Sequence, residues 1–541
     1  MRPASFALFL ATALPTVLAA TAEQWRGRSI YQVIVDRYAL SKGSANTPCD
    51  TNARTWCGGT WNSLRDNLDY IQNAGFTAVW ISPVSQNYEG SATPYGDPYH
   101  GYWIADATQL NSRFGTADDL KALSAELHRR NMYLMVDVVV NNVMSPSLTP
   151  DYSKYMFKDQ SYYHPYCLID YSNTTSMQNC WFGDEKVPMP DVDTKNPTVV
   201  EKYGEWITSL VQEYNIDGLR IDAAKHVNMD FWPDFCGKAG VFCMGEVFSG
   251  NTTADETAPW QGPQALDSVL NFPLYNALQT AFAIPGPVNG KNDISVLAAT
   301  IEDSKKQFHD TGLLGNFLEN QDVPRWHNVS VDPQSLYNAM TFTFMSDGIP
   351  IVYYGQEQSM SGNSDPNNRE ALWPSNYAQT DAYKLITTLN KFRNHLVNST
   401  DWVKQPVQVM TASPEGIAIM KGPVISILTN IGSPPRNDTN IAVNTPYPPS
   451  TPLMNILTCQ QWAVGAKGMI DAQYTLGGVP NILVPSNTLA GSGLCGAEQT
   501  VISNNGGKAK PLDGGASHPS PAASLVVAGV LSLVFALTHI G

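Results

Sequence analysis

The chain has 541 residues, 43% of them hydrophobic, enough to bury a large core and to build a barrel with one or two smaller units. Its 33 basic and 48 acidic residues leave a net charge of −15, which argues against nucleic acid or an anionic membrane surface as a partner. A neutral polymer is indifferent to that charge.

Residues 1–20 carry Arg2, an apolar run from Phe6 to Leu18, then Ala19 and Ala20. This is the pattern of a secretory signal, with cleavage expected between Ala19 and Ala22. Strand-like runs follow at Ser29–Val35, Thr77–Ser82, Met132–Asn141, Gly218–Asp222, Val241–Glu246, Leu313–Glu319 and Ile349–Tyr354. Helix-like runs such as Thr116–Arg130 and Val199–Tyr214 alternate with them, which predicts parallel βαβ units. The rhythm stops over 141–197, a stretch rich in Tyr, Ser, Asn, Asp and Pro that holds Cys167 and Cys180 and reads as an excursion after the third strand. The predicted fold is a (β/α)₈ TIM barrel over 21–140 and 198–400, with 141–197 inserted. Residues 401–497, with short Thr/Val/Ile runs cut by Pro and Gly, predict an antiparallel β unit.

Four blocks place carboxylates within or just after apolar, largely β-branched runs: Met135–Asn141 with Asp137, Gly218–Asp222, Gly245–Val247 with Glu246, and Phe317–Asp322. Acids at the ends of successive buried strands are what a barrel offers on its catalytic face. Asp222, Glu246 and Asp322 could supply a nucleophile, an acid/base and a helper for glycosidic bonds. Arg220 lies two residues from Asp222 and points the same way, so it should hold that carboxyl ionised. The apolar flanks of Glu246 should favour its protonated form.

Eight cysteines in an exported chain read as disulfides. Short loops suggest Cys49–Cys57 and Cys167–Cys180, with Cys459–Cys495 closing the C-terminal unit; Cys236 and Cys243 either pair or stay as buried thiols. Sequons at Asn173, Asn251, Asn328, Asn398 and Asn437 suit a glycosylated surface protein. At the far end, 498–513 reads as a stalk, and 514–541 holds a polar spacer and the apolar run Leu525–Leu537. That run is short for a bilayer span and is followed by no basic tail. Small residues, spacer and apolar terminus form a GPI-attachment signal, with the lipid expected on Asp513 or Gly514 and Asn505 a distant second.

Over about 23–497 the chain resembles the α-amylase family of glycoside hydrolases, in particular secreted fungal members. The matching segments are Tyr95-Gly96-Asp97 with Tyr99–Trp103, Met189–Asp193, Gly218–His226, and Asp365-Pro366 with Asn368-Arg369-Glu370. The resemblance implies a barrel, an inserted domain B and a C-terminal β-sandwich, acting as a monomer by retaining double displacement on α-1,4-glucan. It implies Asp222 as nucleophile, Glu246 as acid/base and Asp322 as transition-state stabiliser. His100, Tyr102, Trp103, Arg220, Asp365 and Arg369 would bind the sugar, with Lys225 and His226 toward the next subsite. It also implies calcium, held by the side chains of Asn141 and Asp191 and by the carbonyls of His226 and Gln178.

Two departures stand out. The family's Asn-His reads Asn141-Asn142, and its Glu-Asn-His-Asp reads Glu319-Asn320-Gln321-Asp322. Asn142 and Gln321 keep hydrogen bonding to sugar but lose the imidazole. With the GPI signal, these changes resemble the GPI-anchored amylase-like α-glucanotransferases of filamentous fungi. The leading expectation is therefore a 4-α-glucanotransferase, using malto-oligosaccharide donor and acceptor in cell-wall α-glucan assembly at the cell surface. A surface-tethered hydrolytic α-amylase is the alternative. An inactive glucan-binding wall protein comes third, since the carboxylates are intact.

Overall fold

The computed structural model describes residues 20–44, 47–285, 292–434, 439–475 and 477–496. Eight parallel strands form the central ring: β1 (Ile30–Val33), β2 (Ala78–Ile81), β3 (Tyr133–Val138), β4 (Gly218–Ile221), β5 (Phe242–Gly245), β6 (Ser268–Val269), β7 (Gly315–Asn316) and β8 (Ile349–Tyr353). β1 to β6 pair in sequence, β8 pairs with both β1 and β7, and a parallel bridge between Leu270 and Gly315 completes the circuit. The predicted (β/α)₈ barrel is therefore the observed one.

Side chains alternate between two cores, as the two-residue period of a strand requires. Ile30, Ala78, Trp80, Met135, Phe242, Met244 and Ile349 pack together in one cluster. Their neighbours Tyr31, Val79, Leu134, Val136, Leu219 and Cys243 belong to the larger core shared with the helices. The helices start where capping residues stand: Thr116 forms a capping box before Ala117–Arg129, and Asn196 caps Pro197–Tyr214, which ends on left-handed Asn215.

The strands are shorter than the sequence suggests. Met132–Asn141 is strand over Tyr133–Val138, and Leu313–Glu319 only over Gly315–Asn316, Leu313 being spent on the 3-10 turn Thr311–Leu313. β6, Ser268–Val269, has no strand-like run in the sequence; two residues are too few to make one. An antiparallel ribbon, Ser85–Asn87 with Ile104–Leu110, also went unpredicted.

The excursion after β3 contains a helix, Thr174–Asn179, and a small ribbon of Phe182–Gly183 with Pro188–Met189. From Gln408 onward an antiparallel six-stranded sheet faces the two-stranded ribbon Thr439–Asn444/Met469–Tyr474, with Ile425, Ile427, Ile441, Val443, Ile470 and Leu483 between them. Asn338, in the helix Pro333–Met345, ties this unit to the barrel: it accepts from Thr429 N at 3.0 Å and donates to Gly478 O at 2.6 Å.

The three expected disulfides are present, and the open case closes: Cys236 pairs with Cys243. Asn173, Asn251, Asn328 and Asn398 are exposed. Asn437, residues 1–19 of the signal sequence, Asp513 and Gly514 lie outside the described residues.

Candidate active site

The acids converge on one guanidinium. Arg220 on β4 is fully buried; its Nη1 donates to Asp137 at 3.0 Å and to Asp222 at 2.7 Å, and its Nη2 lies 2.9 Å from Glu246. Register explains this: Arg220 pairs with Asp137 on β3 and with Met244 on β5, and Glu246 stands just past the end of β5. Asp137 is further held by Tyr102 Oη at 2.7 Å and Trp80 Nε1 at 3.1 Å. Glu246 also accepts from the backbone N–H of Ala223 at 3.1 Å. It therefore sits in an ion pair rather than in the apolar surroundings its flanks suggest.

Asp322 approaches from the loop after β7. Asn320 shapes that loop by accepting from the N–H groups of Asp322 and Val323. Arg369 bridges Asp322 at 3.3 Å and Asp365 at 3.0 Å. Glu319, in the same block, turns away to Arg325 at 2.9 Å and the N–H of Trp326 at 2.6 Å, a structural role.

The charge balance differs from the simple pairing of Arg220 with Asp222. One guanidinium serves three carboxylates, so it cannot neutralise each. Burial pushes Asp222 up to about 8, against the pull of Arg220, with Glu246 and Asp137 adding to the rise. Burial also raises Asp322 to about 6 and Asp137 to about 6. Burial thus favours the protonated forms of Asp222, Asp322 and Asp137.

These residues open into a cleft of about 810 Å³. Asp222, Glu246 and Asp322 line it, with His100, Tyr102, Trp103, Asn142, Lys225, His226, Asp365 and Arg369. Burial pushes the His100 imidazole well below its ordinary value, so it is neutral beside Tyr102. Two expected sugar contacts are not on the wall. Arg220 is spent on the carboxylates behind it. Gln321 is 1% exposed, accepts from Gln32 at 2.6 Å and donates to Tyr102 Oη at 3.2 Å. Sequence reading missed Arg54, Tyr171, Phe182 and Phe248, which also line the cleft, and gave no role to Tyr95, which does so too. They come from loops without periodicity; exposed aromatics beside the acidic blocks were the only available signal.

The proposed calcium ligands fall into two neighbouring pairs. Asn141 and Asp191 adjoin through the bridge Asn142–Asp191 and the bond from Val192 N to Asn141 O. His226 lies against the Gln178 segment, its Nδ1 3.0 Å from Met177 O. Asp191 is 1% exposed and burial raises it to about 7; its one close partner is His164 Nδ1 at 2.6 Å, a contact the sequence did not suggest. A buried carboxylate beside amide and carbonyl oxygens is a donor set that suits a hard cation. Among the described residues no cluster of three or more His, Cys, Asp or Glu could hold a metal ion.

Residues 32–413 match the model of the α-amylase catalytic domain, and 409–503 that of α-amylase domain C. α-Amylase 2 of Schwanniomyces occidentalis is 42% identical over 88% of this chain and 93% of its own length. The α-amylase of Saccharomycopsis fibuligera is 41% identical over 86% and 92%. The solved structure of an α-amylase from Malbranchea cinnamomea superposes with a TM-score of 0.84 at 41% identity, covering 88% of this chain and all of that one. A cyclomaltodextrin glucanotransferase of known structure, at 24% identity and TM-score 0.71, shares the fold. By its barrel, its C-terminal sheet and these relatives, the chain belongs to the α-amylase family of retaining glycoside hydrolases.

Proposed function

We propose that this protein hydrolyses α-1,4-glucosidic bonds by double displacement, the alternative rather than the leading reading of its sequence. The placement of Asp222 and Glu246 on one buried guanidinium, facing a cleft of about 810 Å³, supports double displacement, and the likeness over most of the chain to α-amylases favours water as the acceptor. Two carboxylates held this closely suit retention, where no water must fit between acid and base. Asp222 attacks the anomeric carbon while Glu246 gives its proton to the leaving glycosidic oxygen. A glycosyl ester forms on Asp222. Glu246 then takes a proton from water, which releases the sugar with its α configuration restored. Asp322, paired with Arg369, faces the developing positive charge of the ring. Glu246 must give the proton and Asp222 the electron pair, and Arg220 faces both.

Calcium would be held by Asn141, Asp191 and the carbonyls of Gln178 and His226. When bound, it would offset the burial of Asp191 and fasten the excursion to the barrel.

Transfer to a second glucan chain is the competing reading, and Asn142 is the observation that favours it. It places an amide on the cleft wall where the family carries imidazole. Gln321 adds less than expected, because its side chain is engaged by Gln32 and Tyr102. Cell-wall remodelling and a GPI lipid on Asp513 or Gly514 remain part of that proposal. Sizing the products formed from maltopentaose separates the readings. Steadily rising reducing ends mean hydrolysis, longer oligomers with few new reducing ends mean transfer, and unchanged substrate refutes both.

A further inference from the structure

Two of the glycosylation sequons follow closely on aromatic residues that line the cleft. Tyr171 lines it, is 65% exposed, and lies with its ring 6.1 Å from that of His226; Asn173 is two residues further on. Phe248 lines it too, is 47% exposed, and has Lys225 Nζ 5.6 Å from its ring; Asn251 is three residues further on. Lys225 and His226 are neighbours, so both exposed aromatic residues, one on the inserted stretch and one on the loop after β5, border one end of the cleft.

Both asparagines are exposed. Asn173 Oδ1 accepts from the N–H groups of Thr175 and Ser176, capping the helix Thr174–Asn179. No described hydrogen bond uses its Nδ2, the atom a glycan would take. Asn251 donates one Nδ2 hydrogen to Glu256 at 2.8 Å, which leaves the other. Asn398 is a built-in contrast. It shares a groove with Arg28, Thr77 and Met132, which stand just before β1, β2 and β3, at the end of the ring away from the acids.

We propose that Asn173 and Asn251 carry N-glycans that flank the Lys225–His226 end of the cleft and select the size of glucan the enzyme accepts. An N-glycan is bulky and solvated. Two of them, one on each side of an open end, would collide with a long or branched chain running out past Tyr171 and Phe248. A short oligosaccharide that ends inside the cleft avoids them. This rests on the proposed action on α-1,4-glucan and on passage through the secretory route.

The test uses the full chain secreted from a eukaryotic host. Glycopeptide mass spectrometry reads occupancy independently of activity. Thr175→Ala and Thr253→Ala remove the sequons while leaving the asparagines and the Asn173 cap. Endoglycosidase trimming of the folded wild-type protein gives the same loss with no substitution. Rates on soluble starch and on maltopentaose are compared as a ratio. The proposal expects both sites occupied, the starch-to-maltopentaose ratio raised severalfold by the double variant and by trimming, and no change for Asn398→Gln. Unoccupied sites, or a ratio unmoved by trimming, overturn it. Occupied sites on a protein that turns over neither glucan refute the proposed activity, and size selection with it.

Discussion

Arg220 divides one positive charge among Asp137, Asp222 and Glu246, and this division sets both the chemistry and its cost. Asp222→Asn and Glu246→Gln should each lower turnover of maltopentaose by about 10⁴-fold or more, the scale of losing one member of a catalytic unit. Normal turnover in either variant contradicts the assignment. The same charges burden the fold. Asp222 is held near 8 in the native state, above its unfolded value near 4, so the native form binds its proton more tightly. Its contribution to stability is full below pH 4 and is lost as pH rises through 8. An uncharged Asn escapes that loss. Asp222→Asn should therefore melt above the wild type by about 1–3 °C at pH 8–9, with the gain vanishing near pH 4. A lower melting point for the variant at pH 8–9 would mean that Arg220 stabilises the ionised carboxylate outright. At this scale the sequence was legible where acids follow β-branched runs. Alternation along a strand tells which side a residue faces but not its depth, so Arg220 and Gln321 were placed on a wall that they lie behind.

β5 must deliver Glu246 at a fixed height, and Gly245 is the residue that lets it. A Cβ there would meet Leu266 Cδ1 at 2.3 Å and Ala224 Cβ at 3.0 Å, from elements on either side of the strand. Gly245→Ala should cost about 1–3 kcal/mol in denaturant unfolding, as overpacking does, and should lower turnover by displacing the acid/base. Unchanged stability and turnover would show that the strand end is free to adjust. The parallel ring was readable because seven of its strands are runs of β-branched and apolar residues bounded by helices. Ser268–Val269 was not, since a two-residue strand has no period; it is fixed by its pairing with Met244 and Gly245. The Tyr171 and Phe248 loops had no period either, and only the folded ring brings them to one end of the cleft.

Across the whole molecule, polar ties join the excursion to the barrel (Thr194 to Asn228, His226 to Met177 O) and the C-terminal sheet to it (Lys421 to Asp347, Asn430 to Ala281 O), and the calcium proposal concerns the first junction. A cation bound only by the folded junction stabilises by mass action, about 2.7 kcal/mol at a hundredfold excess over its dissociation constant. Chelation with EDTA should lower the melting temperature, and added calcium should restore it. A melting temperature unmoved by EDTA, in protein with no co-purified metal, removes the roles given to Asn141, Gln178, Asp191 and His226. The central claim, hydrolysis with retention through Asp222 and Glu246, is tested most directly by following maltopentaose by proton NMR from the first minutes. The account predicts new reducing ends that appear in the α configuration and only later mutarotate. New ends appearing first as β, or none while longer oligomers accumulate, would contradict it.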